Sequence, residues 1–316
     1  MKVAVIGVGA IGGWLAGRLA LAGHEVSVIA RKNTAEALRG GLRLIQGGRE
    51  ELASVRVLAE ADGEKCDLLL LATKATGLAE AAEQARPLIG ADNLILPLQN
   101  GVPWWLPGGE PLRSVDPDGR IAAALPLGQV LGGVVHAACR RSAPAIVEVV
   151  HADRLILGEI GGGVSPRVEA LARTFADADV PAEASGDVRR AIWYKLWGNM
   201  TINPISATTG LTADRILRDP EHRAEIVAAM EEARLVGAAI GCPIEESAAE
   251  RLAVTARLGA FKTSMLQDVE AGRPIELEAL VGAVVEIARR VDVATPVIDA
   301  LFTRTQAFAA ARALLY

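Results

Sequence analysis

The chain has 316 residues, about twice the usual size of a domain, which predicts two domains. Hydrophobic residues make up 51% of it and charged residues 22%, which excludes a disordered chain and permits a large core. The formal net charge of −5 argues against nucleic acid as the main partner.

The first predicted element is a buried parallel strand at residues 2–6, a short run of apolar and β-branched side chains. A helix is predicted from about residue 10 to residue 22, followed by Gly23 as a left-handed C-terminal cap. A second apolar strand follows at residues 25–30. Two strands joined by a helix of this length form a right-handed parallel crossover, which predicts a doubly wound α/β sheet of the Rossmann type.

The first strand and helix are joined by a turn that matches G-x-G-x-x-G and consists of Gly7, Val8, Gly9, Ala10, Ile11 and Gly12. In such turns the first glycine permits the tight turn, the second lets the backbone approach a pyrophosphate, and the third lets helix and strand pack closely. The helix N-terminus adds free N–H groups and the positive end of its dipole. The motif therefore predicts a dinucleotide-binding site, with an unrelated glycine-rich turn as the alternative.

The residues after the second strand indicate which dinucleotide is bound. An acid at this point binds the ribose 2′-hydroxyl of NAD, whereas a cation binds the 2′-phosphate of NADP. The sequence has no acid there and continues with Arg31 and Lys32. Because Arg31 can present a planar fork of donors to a phosphate, we expect NADPH as the cofactor. A solvated pair of loop charges is the alternative.

The rest of the first half is predicted to extend this sheet. The elements are buried strands at residues 67–73 and 93–98, antiparallel strands between residues 121 and 157 added to the sheet edge, a helix at residues 166–178 and a linker at residues 182–186. From Asp187 onward, apolar residues recur at helical spacing. The predicted fold is therefore α/β, with a Rossmann-type domain at residues 1–185 and an all-α domain at residues 186–316.

One predicted helix of the second domain carries a polar row at four-residue spacing, formed by Lys195, Asn199 and Asn203. Successive members are offset by only about 40° around the helix, so they share one face. Two asparagines among apolar neighbours cost helix propensity and suggest hydrogen bonding in a cleft, a solvent-facing row being the alternative. Pro204 predicts that the helix kinks or ends near Asn203.

Taken together, these motifs resemble the ketopantoate reductase (2-dehydropantoate 2-reductase) family over essentially the full length of the chain. The residues that carry the resemblance are the turn at residues 7–12, Arg31, Thr73-Lys74, Gln99-Asn100-Gly101, Lys195, Asn199, Asn203-Pro204, Ser264-Met265-Leu266-Gln267-Asp268 and Glu276. The resemblance implies NADPH-dependent reduction of the 2-oxo acid 2-dehydropantoate to pantoate, a step of pantothenate biosynthesis, in a site enclosed between the two domains.

The resemblance also implies a role for each matched side chain. Lys195 would be the general acid, with Glu276 beside it or beside the substrate hydroxyl. The residues expected to hold the substrate are Asn199, Asn203 and Ser264. Those expected at the mouth shared by cofactor and substrate are Lys74 and Asn100. Taken alone, Asn100 could be a turn residue, Ser264 a surface serine and Glu276 an ordinary acid in the first turn of a helix.

The sequence departs from the family pattern after Gly101, where Trp104 and Trp105 stand among prolines. These tryptophans could form a local hydrophobic clamp or reshape the substrate pocket. A further asparagine of the family is replaced near Thr212 or Ala213. The departures leave the identity of the 2-oxo acid open. The alternatives are a related NADP-dependent dehydrogenase acting on another 2-oxo acid or an imine, and a non-catalytic NADP-sensing protein.

The spacing of cysteines and histidines predicts neither disulfides nor a metal site. Cys66, Cys139 and Cys242 lie far apart, and the four histidines show no metal-ligand spacing. The apolar stretch at the start is too short for a signal peptide, and no apolar run reaches the roughly 18 residues that span a bilayer. We expect a cytoplasmic protein without a membrane partner, whose helical domain has enough apolar surface to form a homodimer.

Overall fold

The computed structural model describes residues 1–315, which form two compact units. The first unit comprises Met1–Gln99 and Gly119–Val188, and the second comprises Asn100–Asp118 and the chain from Arg189 onward. The sequence-based division places residues 100–118 in the first domain, whereas the contacts place them in the second unit. Asn100 therefore belongs to the same unit as Lys195.

The first unit contains the strands of two sheets. They are β1 (Lys2–Ile6), β2 (Glu25–Ile29), β3 (Leu42–Gln46), β4 (Arg49–Ala53), β5 (Arg56–Leu58), β6 (Leu68–Leu71), β7 (Leu94–Pro97), β8 (Leu131–Ala143), β9 (Ile146–Glu159) and β10 (Ala182–Ser185). The helices of this unit are α1 (Ala10–Leu21), α2 (Lys32–Leu38), α3 (Leu78–Ala85), α4 (Arg120–Ala124) and α5 (Pro166–Asp177).

The first sheet is parallel and has the strand order β5-β2-β1-β6-β7. This order confirms the predicted Rossmann-type sheet. Its inner strands are continuous apolar runs, as in β6, where all four residues are buried leucines. Because the strands are parallel, the carboxyl ends of β1, β2 and β6 meet at one edge, which is where ligands bind in α/β sheets.

Apart from an isolated bridge between Val130 and Ile95 of the edge strand β7, the strands expected at the sheet edge form a second sheet. β8 and β9 pair antiparallel as predicted, but β9 also pairs in parallel with β3 and β10, and β3 pairs antiparallel with β4. The expected linker at residues 182–186 contains β10. These pairings join segments that are distant in sequence, such as Arg43 with Ile146, so local sequence patterns do not predict them.

Helix α1 packs between the two sheets. Its Trp14 and Leu15 are fully buried in a core shared with Val5 of the first sheet and with Leu44 and Val147 of the second. Each fully buried apolar side chain of this size stabilises the fold by about 1.5–3 kcal/mol. This packing fixes the N-terminus of α1, and with it the glycine-rich turn.

The second unit is helical between residues 189 and 315, and no strand occurs in this described range. Its helices are α6 (Val188–Thr209), α7 (Ala213–Arg218), α8 (Pro220–Ala239), α9 (Ala248–Ala256), α10 (Ser264–Glu270), α11 (Ala283–Arg290) and α12 (Pro296–Ala310). A π-helical turn at Glu278–Gly282 leads into α11. Among residues 1–315, no helix is both long and apolar enough to cross a membrane.

Helix α6 is held against α8 by two buried tryptophans. The indole N–H of Trp193 donates to the carbonyl of Ala233 at 3.2 Å, and that of Trp197 donates to the carbonyl of Met230 at 2.6 Å. α6 does not end near Asn203 but continues through Pro204. The proline removes one hydrogen bond of the helix, and the burial of its neighbours outweighs this loss.

Candidate active site

The glycine-rich turn between β1 and α1 combines two crowded positions with one open position. Gly7 has φ +97°, and a Cβ on it would lie 2.5 Å from the backbone nitrogen of Thr73. A Cβ on Gly12 would lie 2.1 Å from the carbonyl oxygen of Gly7. At Gly9, by contrast, a Cβ would meet nothing within 4 Å. The open position lies at the N-terminus of α1, where free N–H groups and the helix dipole favour a phosphate.

Arg31 lies at the carboxyl end of β2, next to this turn in the sheet. Ile6 of β1 pairs with Ile29 of β2, so the residues that follow these two strands leave the sheet side by side. Arg31 is exposed, and its carbonyl accepts the N–H groups of Thr34 and Ala35 at the start of α2. The structure thus places a cation at the strand end where NAD-binding proteins carry an acid.

Lys74 lies at the carboxyl end of β6, on the other side of β1. It is half-buried and precedes a 3₁₀ turn at Ala75–Gly77. Gln99 fixes the loop that follows β6: its side-chain amide donates to the carbonyls of Leu71 at 2.8 Å and Thr73 at 3.1 Å. Lys74 therefore belongs to the edge of the sheet that carries the glycine-rich turn and Arg31.

One further cation reaches the turn from the second sheet. The guanidinium of Arg141, near the end of β8, donates to the carbonyl of Val8 at 3.3 Å. No motif in the sequence points to Arg141. Two adjacent arginines in a strand are an ordinary surface pattern, and only the packing of the two sheets around α1 brings this one to the turn.

The polar row on α6 lies in the second unit. The ammonium of Lys195 donates a hydrogen bond to the side-chain oxygen of Asn100 at 2.9 Å. Asn203 is buried, with 7% of its surface exposed, and Asn199 is half-buried. The neighbouring Trp193 and Trp197 are fully buried, which fixes the rotation of α6 about its axis. The row is therefore not a solvent-facing stripe.

The environment of Lys195 makes its ammonium a stronger acid than that of an ordinary lysine. Burial lowers the pKa of Lys195 to about 8, and the negative charge of Glu276 opposes this shift. The residue as a whole is half-buried, so the desolvated part is its ammonium end. At neutral pH the group is charged in most molecules, yet it releases its proton far more readily than a solvated lysine does.

Glu276 and Ser264 lie at the starts of two helical segments. Glu276 is buried, with 8% of its surface exposed, and its carbonyl accepts the N–H of Leu280 at 3.1 Å. Ser264 is the first residue of α10 and is exposed, while the capping side chain is that of Thr263. The charge of Glu276 thus acts on Lys195, whereas a role for Ser264 rests on the family resemblance. Among residues 1–315, no group of side chains has the composition of a metal site.

Two family models match the chain. "Ketopantoate reductase PanE/ApbA" matches residues 3–162, and "Ketopantoate reductase PanE/ApbA C terminal" matches residues 187–309. The chain is 42% identical to the 2-dehydropantoate 2-reductase of Mesorhizobium japonicum over 99% of both proteins.

Solved structures agree with this match. A protein of Ralstonia solanacearum MolK2 assigned as a ketopantoate reductase superposes with a TM-score of 0.95 at 46% identity, covering 100% of this chain and 99% of that one. The 2-dehydropantoate 2-reductase of Methylococcus capsulatus superposes with a TM-score of 0.86 at 31% identity, covering 99% and 98%.

A Rossmann-type unit with a glycine-rich turn, joined to a helical unit with a half-buried lysine, defines an oxidoreductase that uses a nicotinamide cofactor. Within this class, the chain belongs to the ketopantoate reductase family. The resemblance found in the sequence is thereby confirmed.

Proposed function

We propose that this protein catalyses the NADPH-dependent reduction of 2-dehydropantoate to pantoate, a step of pantothenate biosynthesis. The observation that carries the proposal is the Lys195 ammonium, which is bonded to Asn100, influenced by Glu276 and has a pKa of about 8. A group with this pKa can both stabilise and protonate a developing alkoxide. The 42% identity to a 2-dehydropantoate 2-reductase over the whole chain supports this choice of substrate.

The side chains of the second unit account for the proton that the reaction needs. When bound, NADPH supplies the hydride to the 2-oxo carbon. Negative charge then grows on the substrate oxygen, and Lys195 donates a hydrogen bond and finally a proton to that oxygen. Glu276 favours the charged form of the lysine before this transfer. Asn100 accepts a hydrogen bond from the ammonium and so helps to fix its position.

The first unit suits NADPH better than NADH. We propose that the turn of residues 7–12 holds the pyrophosphate and that Arg31 binds the 2′-phosphate. The absence of an acid after β2 and the open position at Gly9 support this assignment. Lys74 and Asn100 are proposed to contact both cofactor and substrate. A solvated role for Arg31 would instead predict equal affinity for the two cofactors.

The rest of the polar row is proposed to hold the substrate. Asn199 and Asn203 share the helix face of Lys195, and their amides can both donate to and accept from hydroxyl and oxo groups. Ser264 is proposed to bind the carboxylate of the substrate. Buried amides that pair only with the correct substrate would penalise analogues lacking a hydroxyl.

The structure favours one interpretation of the two tryptophans after Gly101. Trp104 and Trp105 are buried, with 1% and 8% of their surface exposed, as expected for a hydrophobic clamp. A related dehydrogenase that reduces another 2-oxo acid or an imine remains the alternative within enzymes. A non-catalytic NADP sensor is disfavoured because Lys195 and Glu276 are both in place.

We also propose that the enzyme works in the reducing cytoplasm. Cys66, Cys139 and Cys242 form no disulfide in the structure. Burial raises the pKa of Cys66 to about 11 and that of Cys139 to about 12, so neither is a reactive thiolate at neutral pH.

The proposal is tested by product analysis. Purified protein is incubated with NADPH and 2-dehydropantoate, and pantoate and NADP⁺ are quantified. The expected result is one pantoate formed for each NADPH oxidised. Oxidation of NADPH without pantoate would exclude this reaction, and tight NADPH binding without turnover would support the sensor.

A further inference from the structure

We propose that Glu286 and Arg290 are positioning residues of the reaction. They fasten the segment 100–118 to α11 and thereby hold Asn100 against Lys195. The inference rests on the proposed function for the identity of the reaction. Its geometry rests only on contacts within the second unit.

The segment 100–118 begins at the partner of the proposed acid. Directly after Asn100, Gly101 has φ +92°, and a Cβ on it would lie 2.4 Å from the carbonyl oxygen of Ala279. The N–H of Val102 donates to that same oxygen at 2.8 Å. The backbone beside Asn100 is therefore docked tightly on the π-helical turn that follows Glu276.

The π-helical turn makes this docking possible. The N–H of Ala283 donates to the carbonyl of Glu278, five residues back, instead of to Ala279, four residues back. The carbonyl of Ala279 therefore does not accept the N–H of Ala283, and it accepts the N–H of Val102 instead. A regular α-helix would use this oxygen internally. The turn thus serves as the near anchor of the segment.

Glu286 and Arg290 form the far anchor. The carboxylate of Glu286 accepts the N–H groups of Arg113 at 3.0 Å and Ser114 at 2.8 Å, and the hydroxyl of Ser114 at 2.7 Å. Arg290 donates to the carbonyls of Glu110 at 2.7 Å and Pro111 at 2.8 Å, and also pairs with Glu286. Burial acts to raise the pKa of Glu286, but these donors outweigh it and hold the pKa below its ordinary value.

Buried side chains fill the stretch between the anchors. Trp104, Leu106 and Leu112 are each at most 1% exposed, and the N–H of Leu112 donates to the carbonyl of Trp104 at 3.3 Å. The segment is thus packed in its middle and bonded at both ends to the continuous stretch 276–290. Two groups that act on Lys195, the amide of Asn100 and the charge of Glu276, are carried by this one assembly.

Loss of the far anchor would free the segment to move, and with it Asn100. Displacements of about 1 Å can cost on the order of 10²-fold in rate when they misplace a catalytic group. Because the near anchor remains, we expect Glu286→Ala to lower kcat by roughly tenfold. The loss should be larger in kcat than in the dissociation constant of NADPH, because Asn100 is proposed to provide only one of several contacts with the cofactor.

A double-mutant cycle tests the inference. The kcat values of wild type, Glu286→Ala, Asn100→Ala and the double variant are compared. If Glu286 acts through Asn100, it contributes little once Asn100 is gone, so its roughly tenfold effect should shrink to below about twofold in the Asn100→Ala background. Equal effects of Glu286→Ala in both backgrounds, or no effect in either, would overturn the proposal.

Glu232 provides the matched control. Its carboxylate also accepts two backbone N–H groups, those of Val297 at 3.0 Å and Ile298 at 2.9 Å, but at the start of α12. Glu232→Ala should lower the thermal midpoint, and any effect on kcat should be the same with and without Asn100. If Glu286→Ala does not fold, Arg290→Ala gives the same cycle with the carboxylate left in place.

A readout that needs no substrate separates this inference from the proposed function. If the wild-type protein forms no pantoate, the proposed function is contradicted. The same variants are then compared by NMR titration of the ¹³Cε signal of Lys195, which needs no substrate. Glu286→Ala and Asn100→Ala should shift the titration midpoint in the same direction, whereas Glu232→Ala should leave it unchanged. A wild-type midpoint in Glu286→Ala would overturn the positioning role.

Discussion

Lys195 is subject to effects of opposite sign, and their balance sets the pH range in which it can act. Burial destabilises the charged ammonium, while the charge of Glu276 stabilises it. Burial has the larger effect, so the pKa of Lys195 falls to about 8. The hydrogen bond to Asn100 fixes the position of the ammonium. The sequence predicted Lys195, Glu276 and Asn100 as site residues, but only the structure joins Asn100 to Lys195.

Substitution of Lys195 by alanine should remove the proposed proton donor and leave the first unit intact. We expect kcat to fall by about 10²–10⁴-fold, the usual contribution of a general acid, with nearly unchanged NADPH affinity. Steady-state kinetics and fluorescence titration with NADPH measure the two quantities. Lys262, an exposed lysine paired with Glu270 at 2.7 Å, provides the control, because Lys262→Ala should retain full activity.

The pH dependence of kcat/KM should reflect the pKa of Lys195. The proposed mechanism needs protonated Lys195, so kcat/KM should stay level below pH 8 and fall by about tenfold per pH unit above the pKa of about 8. Glu276→Gln removes the charge that favours the ammonium, so the alkaline limb should move to lower pH. A limb that stays in place, or moves to higher pH, would contradict the role given to Glu276.

Arg31 should determine the preference between cofactors. Arg31→Ala removes the proposed partner of the 2′-phosphate and should raise the dissociation constant of NADPH by at least about tenfold, since a charge-assisted bidentate contact is lost. The dissociation constant of NADH should change little. Arg39, at the other end of α2, is the control. An equal loss of affinity for NADPH and NADH would assign Arg31 a structural role.

At the scale of elements, sequence patterns predicted what is local and missed what is paired over distance. The unit β1-α1-β2 follows from apolar runs, the glycine turn and Gly23. The second sheet could not be predicted, because β9 is positioned by pairing with β3, about a hundred residues earlier. The segment 100–118 is defined by contacts with Glu286 and Arg290, which no spacing in the sequence reveals. Pro204 does not end α6 for the same reason, since tertiary packing outweighs its local effect.

Two alanine substitutions in the glycine-rich turn should have different effects, one on stability and the other on NADPH binding. Gly12→Ala forces a Cβ against the backbone oxygen of Gly7, so we expect a loss of about 1–3 kcal/mol in the free energy of unfolding. Gly9→Ala places a methyl group in open space and should leave stability unchanged while weakening NADPH binding by on the order of tenfold. Urea denaturation and NADPH titration test both variants. Unimpaired NADPH binding in Gly9→Ala would mean that no phosphate lies beside Gly9.

At the scale of the whole molecule, the two units carry different parts of the proposed reaction. The first holds the glycine-rich turn, Arg31 and Lys74, and the second holds Lys195, its partners and the remaining polar row. The net charge of −5 is compatible with two anionic ligands because binding depends on local cations rather than on the total charge. The whole-chain similarity to 2-dehydropantoate 2-reductases supports the reaction, and the identity of the 2-oxo acid is what direct measurement must decide.

The most direct test of the central claim is the specificity constant kcat/KM for a panel of 2-oxo acids, measured with saturating NADPH. The panel contains 2-dehydropantoate, 2-oxoisovalerate, which lacks its hydroxymethyl group, and phenylglyoxylate. We predict that 2-dehydropantoate is preferred by at least about tenfold, because buried amides such as Asn203 would be left unpaired by the analogues. Equal or greater kcat/KM for another member of the panel would contradict the assignment of 2-dehydropantoate as the substrate.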